Sequence, residues 1–405
     1  MSEIGERLAE LAELGLDRRT RLVEGPQGPE VLLDGRPVLL LCSNNYLGLA
    51  AHPQVRQAAA GAALTLGVGA GASRLVSGTM AVHRELERRL AEFEGTQACV
   101  LFGSGYLANM GVICALAGRG DVVFSDELNH ASIVDGCRLS RAEVSVYRHL
   151  DVDQLESALR EHAGARRRLI VTDSVFSMDG DLAPLAELVE LARRHDARIV
   201  VDEAHATGAL GPGGRGAVAA AGLEGEVDAI VGTLGKALGS YGAYVCASAE
   251  LVRYLLNVAR PLIFSTAPPP PAIAAASTAL DLLAGQPGLT VDLHAAARAL
   301  RGALRAEGFG VQEGEMHIVP LVAREERAAM ALCQAAIERG VFAQAIRPPT
   351  VPPATSRLRL TAMATHTPQQ MSAVARALRE AALEVGLDPA LVGEPAAGRV
   401  LASSN

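Results

Sequence analysis

The central part of the chain alternates short apolar runs with amphipathic stretches. The apolar runs between residues 98 and 248 are ACVLFG, DVVFSD, EVSVYRH, RLIVTDSVF, RIVVDEAH, DAIVGTLG and GAYVCAS. Several of them are continuously apolar, as expected of strands that helices cover on both faces. Intervening segments such as DVDQLESALREHAG and PLAELVELARRHDA have the spacing of amphipathic helices. The pattern predicts an α/β fold with a large, mostly parallel sheet.

The length of 405 residues exceeds that of a usual single domain. The run APPPP at residues 267–271 can continue neither a helix nor a central strand, and an Ala-rich helical segment follows it. Beyond that segment, helical stretches enclose HIVPLVA and RLRLTA. We therefore predict an N-terminal arm (1–50), a large α/β domain (51–285), a small C-terminal α+β domain (286–390) and a tail (391–405).

Charge and composition exclude several classes of protein. The net charge of -8 argues against nucleic acid as a partner. The six cysteines show no CxxC spacing, which predicts reduced thiols and a cytoplasmic location. No apolar stretch has the form of a secretory signal or a membrane span. A zinc hydrolase and a nicotinamide dehydrogenase are disfavoured because HExxH and a suitably placed GxGxxG are missing, and we expect no metal.

A lysine stands among glycines in GTLGKALGSYGAYV, residues 232–245, directly after a predicted strand. Glycines let other atoms approach the backbone closely. Low-dielectric surroundings would disfavour the ammonium form of Lys236, and a neutral amine forms a Schiff base with an aldehyde. Taken alone, the segment is more typical of a surface lysine on a glycine-rich turn. Its neighbours in the predicted sheet favour a catalytic lysine.

Polar side chains cluster near the predicted strand ends, where ligands of such sheets bind. Asp202 ends an apolar run, and His205 follows three positions later. A buried carboxylate needs a partner, and the protonated pyridine nitrogen of pyridoxal phosphate is one. A capping aspartate and a core histidine are the alternative. Together with Lys236, the pair favours a site for pyridoxal phosphate (PLP).

Three further motifs lie near strand ends. FGSGYLAN predicts a tight turn into a helix, whose free amides would face an anion such as the cofactor phosphate. His130, in SDELNHASI, could stack on an aromatic cofactor or serve as acid or base, and a helix-start role fits its spacing equally well. Ser177, in VFSMDGDLAPL, could reach the cofactor or stabilise the Asp-Gly turn.

Taken together, these motifs resemble the α-oxoamine synthase family of fold-type I PLP enzymes. The resemblance extends from SNNYLGLA near residue 43 to RLRLTA near residue 357 and includes NHASI, VDEAHATG and RPLIFSTAPPP. It implies a homodimeric enzyme that condenses a small amino acid with an acyl-CoA thioester and releases coenzyme A and carbon dioxide.

The resemblance also implies roles for individual residues. Lys236 would hold the cofactor and act as general base, Asp202 would pair with the pyridine nitrogen, and His130 would stack on the ring. The further cofactor contacts that it implies are Gly105, Tyr106, Ser177, His205, Thr233 and, from the neighbouring subunit, Thr266. The implied substrate contacts are Asn44, His130, Thr350, Arg359 and one arginine of DRRTR, for which we choose Arg18.

The motifs match best the biotin-pathway branch of the family, which joins L-alanine to a pimeloyl thioester carried by coenzyme A or a carrier protein. Sister enzymes that use glycine or serine, such as aminoketobutyrate ligase, share the Lys/Asp/His core and remain open. The stretch LGKALGSYGAYV favours the alanine branch over that ligase, whose stretch runs more like GKALGGASGG. A non-catalytic cofactor-binding protein of the same fold is the alternative from another class.

Overall fold

The computed structural model describes residues 2–393. Of the predicted tail, residues 394–405 lie outside the described residues. In chain order, the strands are β1 (Val23–Glu24), β2 (Glu30–Leu33), β3 (Arg36–Leu40), β4 (Ala98–Phe102), β5 (Val122–Asp126), β6 (Glu143–Tyr147), β7 (Arg168–Asp173), β8 (Arg198–Asp202), β9 (Ala229–Thr233), β10 (Ala243–Ala247), β11 (Ile318–Arg324), β12 (Val341–Phe342), β13 (Ala345–Ile346) and β14 (Ser356–Thr361).

The helices complete the element order. They are α1 (Glu3–Glu13), α2 (Pro53–Leu66), α3 (Ala81–Glu94), α4 (Gly105–Leu116), α5 (Ala131–Ser140), α6 (Val152–Glu161), α7 (Leu185–Arg194), α8 (Gly216–Ala220), α9 (Ala249–Val258), α10 (Arg260–Ile263), α11 (Pro270–Gly285), α12 (Gly288–Ala306), α13 (Glu326–Glu338) and α14 (Pro368–Glu384). Within residues 2–393, the structure has no helix both long and apolar enough to cross a membrane.

The chain divides into two compact units. Among the described residues, the larger unit comprises Leu49–Ser177 and Asp181–Thr290, and the smaller unit comprises residues 2–48, Met178–Gly180 and residues 291–393. The large domain was predicted to extend from residue 51 to residue 285. The larger unit of the structure extends from residue 49 to residue 290. The prediction separated the N-terminal arm from the C-terminal domain. The structure groups them, because β12 pairs in parallel with β3.

The larger unit contains a seven-stranded sheet of order β4-β10-β9-β8-β7-β5-β6. Only β10 runs antiparallel to its neighbours, so the predicted mostly parallel sheet is confirmed. Strand β5 is buried throughout, and β7 and β8 are buried after their first residues, Arg168 and Arg198, which explains their continuous apolar runs. Strand ends carry the polar residues, since Asp126, Asp173, Asp202 and Thr233 are the last residues of β5, β7, β8 and β9.

Amphipathic helices of the larger unit bury one apolar face. In α7, for example, Leu185, Leu188 and Ala192 recur at intervals of three and four residues and are buried, while Glu187 and Arg194 lie on the outer side. Such spacing keeps the apolar side chains on one face of an α-helix. The helix therefore covers the sheet as the sequence pattern predicts.

The smaller unit has two sheets, of orders β1-β2-β3-β12 and β11-β14-β13. Its core packs helix side chains such as Leu300, Leu332 and Leu378 with strand side chains such as Leu321 and Leu358. HIVPLVA and RLRLTA form β11 and β14, as predicted, and they pair antiparallel. The unit is thus an α+β structure built from both ends of the chain.

Candidate active site

Lys236 lies in the loop between β9 and β10, at the carboxyl edge of the sheet. Its Nζ is 2.7 Å from Nε2 of His205, which follows β8 and is buried. The loop is closed at its base by backbone hydrogen bonds from Leu234 to Gly242 and from Ser240 to Leu234. Lys236 is also the only lysine in the chain. The structure thus brings two predicted residues into direct contact.

A glycine allows the Lys236 loop to pass close to another segment. Gly239 has a φ of +60°, and a Cβ on it would lie 2.3 Å from the backbone nitrogen of Ala50. Side chains rarely adopt this conformation, and the backbone of Ala50 cannot move aside as a flexible side chain would. Gly235, in the same loop, has no positive φ, and its Cβ would meet nothing closer than 3.6 Å. Of these two glycines, Gly239 is the one that is sterically required.

We expect Gly239→Ala to lower the free energy of unfolding by about 1–3 kcal/mol, because overpacking and a strained φ both oppose the native loop. Urea denaturation of the purified variants measures the change. Gly235→Ala is the matched control and should stay within about 0.5 kcal/mol of the parent protein. Equal stability of the two variants would contradict the argument from close approach.

Asp202 is held by neutral donors at the end of β8. Asn109 Nδ2 donates to Asp202 Oδ2 over 2.6 Å, and the Ala204 amide donates to Oδ1 over 2.8 Å. Asn109 Nδ2 also donates to Ser132 Oγ over 2.9 Å. The carboxylate is buried, and these donors fix its orientation. Sequence reasoning missed Asn109, whose only signal is a polar side chain within the apolar helix α4.

His130 caps the start of α5. Its Nδ1 accepts the backbone N–H of Ser132 over 3.2 Å and lies 2.7 Å from Ser132 Oγ, while its own backbone N–H donates to Asp173 Oδ2 over 2.7 Å. Partial burial lowers the pKa of His130; the charge of Asp202 opposes that shift and the charge of Lys236 adds to it. The ring is therefore neutral at pH 7, a state suited to stacking.

Asp173 supports His130 from the neighbouring strand. It is paired with Asp202 across β7 and β8 and is buried. Burial and the charge of Asp202 raise the pKa of Asp173 well above its usual range, although the His130 amide lowers it. In the sequence, Asp173 was indicated by its position at the end of a predicted strand.

The other predicted cofactor contacts lie on four segments of the larger unit. Gly105 is the first residue of α4, and the hydroxyl of Tyr106 donates to Asp135. Thr233 Oγ1 donates to the Gly242 carbonyl over 3.1 Å and accepts the Gly235 amide over 3.2 Å.

Ser177 and Thr266 lie on turns. Ser177 directly follows Phe176 in the turn after β7 and is half-buried. Thr266 is exposed and forms an isolated antiparallel bridge with Ser73. Its exposure leaves the side chain accessible from outside the chain.

The smaller unit brings two predicted substrate residues together. Arg359, on β14, is buried; its Nη1 donates to Asn44 Oδ1 over 3.1 Å and its Nη2 to the Tyr46 hydroxyl over 3.4 Å. The Tyr46 hydroxyl in turn donates to Asn44 Oδ1 over 3.1 Å. Tyr46, which sequence reasoning did not single out, thus orients both predicted residues.

Arg18 and Thr350 form another group in the smaller unit. Both line a cavity of about 320 Å³ together with Arg19, Arg21 and Arg347. Arg18 Nη2 donates to the Pro348 carbonyl over 3.1 Å. The concentration of guanidinium groups favours an anionic ligand in this cavity.

Comparison with known proteins identifies the family. The model of the family described as aminotransferase class I and II matches residues 36–378. The chain belongs to this family. A relative from Geobacter sulfurreducens named 8-amino-7-oxononanoate synthase is 53% identical over 386 residues, which cover 95% of this chain and 99% of the relative.

Solved structures of this family share the fold. A serine palmitoyltransferase variant from S. paucimobilis with a bound PLP–myriocin aldimine is 35% identical, covers 95% of this chain and 98% of its own, and has a TM-score of 0.90. An 8-amino-7-oxononanoate synthase from Francisella tularensis is 25% identical, covers 86% and 98%, and has a TM-score of 0.74. This aminotransferase-family chain is therefore a fold-type I enzyme with PLP as its cofactor.

The donor set of the larger unit fits PLP. Lys236 offers an amine for the aldehyde, Asp202 a buried carboxylate for the pyridine nitrogen, and the first turn of α4 offers amides for the phosphate. Within residues 2–393, no group of three or more His, Cys, Asp or Glu side chains is arranged to hold a metal ion.

Proposed function

We propose that the enzyme condenses L-alanine with a pimeloyl thioester and removes carbon dioxide, giving 8-amino-7-oxononanoate for biotin synthesis. Either coenzyme A or a carrier protein would leave as the free thiol. The observation that carries the proposal is the 2.7 Å contact between Lys236 and His205 at the sheet edge where Asp202 is buried. The names of relatives about half identical to the chain support the choice of substrates.

Bound PLP supplies an electron sink for the carbanion formed at the α-carbon of the amino acid. Lys236 would hold the cofactor until the amino acid displaces it, and its freed amine would then remove the α-proton. Asp202, kept in place by Asn109, would hold a proton on the pyridine nitrogen. His205 would contact the ring hydroxyl and remain close to the Lys236 amine.

The remaining roles follow from position. Neutral His130 would stack on the ring, and Ser177 and Thr233 would contact the cofactor. Gly105 and Tyr106, at the start of α4, would shape the phosphate side. We count Lys236, Asp202 and His130 as the catalytic residues.

We propose that Arg359 and Asn44 bind the carboxylate of the amino acid substrate. A guanidinium fork suits a carboxylate, and the Tyr46 hydroxyl limits its motion. The arginine-lined cavity with Arg18 and Thr350 would bind the acyl substrate. The pimeloyl chain of this substrate carries a free carboxylate at the end opposite the thioester. His130 would also contact substrate, since its ring is partly exposed.

We expect Arg359→Ala to raise the KM for alanine and to lower kcat/KM by about 10- to 100-fold, because a hydrogen bond to a charged group contributes about 1.5–3 kcal/mol. Initial rates at varied alanine and saturating thioester measure the change. Arg376→Ala, on the exposed side of α14, is the matched control and should leave KM unaltered. An unchanged KM for alanine in the Arg359 variant would contradict the assignment.

We also propose that the enzyme is a cytoplasmic homodimer in which Thr266 reaches the partner's cofactor. Large apolar side chains are exposed near Thr266 and its bridge partner Ser73: Phe264 is 71% and Val76 79% exposed. Patches of this kind commonly mark protein interfaces. Sedimentation equilibrium should give twice the mass of one chain, and a monomer would contradict the proposal.

Serine is the second candidate amino acid. The serine palmitoyltransferase structure superimposes with a TM-score of 0.90, higher than the 0.74 of the 8-amino-7-oxononanoate synthase structure. Release of coenzyme A from pimeloyl-CoA and from palmitoyl-CoA, with alanine, glycine or serine, separates the two activities. We expect release with alanine and pimeloyl-CoA; release only with serine and palmitoyl-CoA would establish the second candidate.

A further inference from the structure

His149 lies between two carboxylates of the larger unit and has no role in the site described above. Its Nδ1 is 3.0 Å from Asp126 Oδ1, and its Nε2 is 2.8 Å from Asp181 Oδ2. Only 9% of the side-chain surface of His149 and 1% of that of Asp126 are exposed. The ring packs edge-on against Phe176, with the centroids 4.4 Å apart. Each ring nitrogen of His149 thus meets a carboxylate.

The hydrogen bonds define the protonation state of His149. Asp126 also accepts the amides of Leu128 and Leu150, each over 2.9 Å, so its side-chain oxygens act as hydrogen-bond acceptors. Asp126 Oδ1 and Asp181 Oδ2 each lie within hydrogen-bond distance of one ring nitrogen, and donation from both nitrogens makes His149 an imidazolium. Burial lowers the pKa of His149, but the hydrogen bonds and charges of Asp126 and Asp181 outweigh it and raise the pKa to about 10.

Asp126 belongs to the segment that carries His130. It is the last residue of β5, and the Asn129 amide donates to its carbonyl over 3.2 Å. Asn129 Nδ2 donates to the Val171 carbonyl over 2.8 Å, which fixes this loop to β7. His130 follows directly, so a shift of Asp126 moves His130.

Asp181 belongs to the segment that carries Ser177. The Phe176 amide donates to the Asp181 carbonyl over 3.0 Å, and Val175 forms an antiparallel bridge with Leu182. Ser177 directly follows Phe176. The position of Ser177 therefore depends on the segment that includes Asp181.

We propose that His149 is a positioning residue for the cofactor site, since its imidazolium joins the His130 segment to the Ser177 segment. We name Asp126, His149 and Asp181 the imidazolium clamp. The proposal rests on the proposed cofactor contacts of His130 and Ser177. The acidic side chains that face the ring are Asp126 and Asp181, and Glu127 is a further acid nearby, which accepts the backbone amide of His149 over 3.0 Å. A preorganised site generally requires supporting residues that fix the orientation of the side chains that contact the ligand.

The charge of the clamp is tested by NMR of the full-length protein with ¹³C-labelled histidine rings. The signal that His149→Gln removes should stay at the imidazolium position between about pH 6 and pH 9, whereas an unperturbed histidine titrates near pH 6.5. Titration of that signal near pH 6.5 would overturn the clamp. This readout is independent of PLP and of turnover.

The positioning role is tested by the dissociation constant of PLP, measured by equilibrium dialysis. Loss of an orienting residue behind a metal ligand lowers affinity by about 10–100-fold, and we expect about tenfold weaker PLP binding for His149→Gln. Asp181→Asn, at a side chain that is 39% exposed, is the milder variant and should weaken binding in the same direction. The double variant should bind no more weakly than His149→Gln, because both changes break one clamp.

His162→Gln is the matched control. His162 also packs edge-on against a phenylalanine, Phe124, and lies 3.8 Å from the carboxylate of Glu143. Its variant should bind PLP as the parent does. PLP affinity within about twofold of the parent for both His149→Gln and Asp181→Asn would overturn the positioning role. Failure of the parent to bind PLP would instead count against the proposed site.

Discussion

Lys236→Ala is expected to lower kcat by about 10⁴-fold, because in the proposed mechanism the residue both holds the cofactor and serves as general base, and a positioned base alone contributes about 10²–10⁴-fold. The visible absorption of lysine-bound PLP should disappear with it. Rates at saturating alanine, pimeloyl-CoA and PLP measure the first effect, and an absorption spectrum measures the second.

The composition of the chain makes the attachment site unusually easy to locate. Because Lys236 is the only lysine, borohydride reduction of the PLP-loaded protein should label one peptide, which contains residue 236. Lys236→Arg, which keeps a positive charge, serves as the matched control and should be unlabelled and inactive. A Lys236→Ala variant with more than about a tenth of the parent kcat would contradict the assignment, since that loss is far below general-base magnitudes.

Asp202→Asn is expected to lower kcat/KM by about 10²–10⁴-fold. Removal of one partner of a buried charge pair costs about 3–5 kcal/mol, and each 1.36 kcal/mol is tenfold in rate. The substitution keeps the volume of the side chain but removes the charge that would hold the pyridine nitrogen protonated. Steady-state rates with saturating PLP test the expectation.

Asp228→Asn is the control for this variant. Asp228 lies at the amino end of β9, where its Oδ2 accepts the Ile199 amide over 2.8 Å, so it shares the sheet but not the site edge. We expect its activity to remain within about threefold of the parent. If Asp202→Asn retained as much activity as Asp228→Asn, the pairing of Asp202 with the cofactor would be wrong.

The fold of the larger unit and the edge that carries the site could be predicted from the sequence. Buried parallel strands appear as continuous apolar runs, so Asp126, Asp173 and Asp202 each mark the point where a run ends. Because parallel strands end at one edge, these side chains had to lie near each other. Lys236 could be placed beside them because it follows the next strand directly.

Contacts between distant segments could not be predicted in this way. Asn109 reaches Asp202 across 93 positions of sequence, and nothing in the apolar helix α4 indicates where its amide points. The proposed role of His149 depends on its contacts with Asp126 and Asp181, which the fold brings to the two nitrogens of its ring. Periodicity specifies which face of an element is buried, but not which side chains meet.

The N-terminal segment illustrates a second limit. Its strands β1, β2 and β3 span two, four and five residues, too few for a clear alternation of apolar and polar positions. Their partner β12 lies about 300 residues further along and contributes only Val341 and Phe342. A pairing this short and this distant leaves almost no local pattern, so the arm's place in the smaller unit emerged only from the structure.

The measurement that tests the central claim most directly follows the carbon atoms of alanine. The enzyme loaded with PLP is incubated with pimeloyl-CoA and either [1-¹³C]- or [3-¹³C]-L-alanine, and the products are analysed by mass spectrometry. Decarboxylative condensation predicts that the carboxyl label leaves as ¹³CO₂ and that the methyl label remains in 8-amino-7-oxononanoate, with one thiol released per product. Formation of pyruvate from alanine, or a product that retains the carboxyl label, would contradict the account.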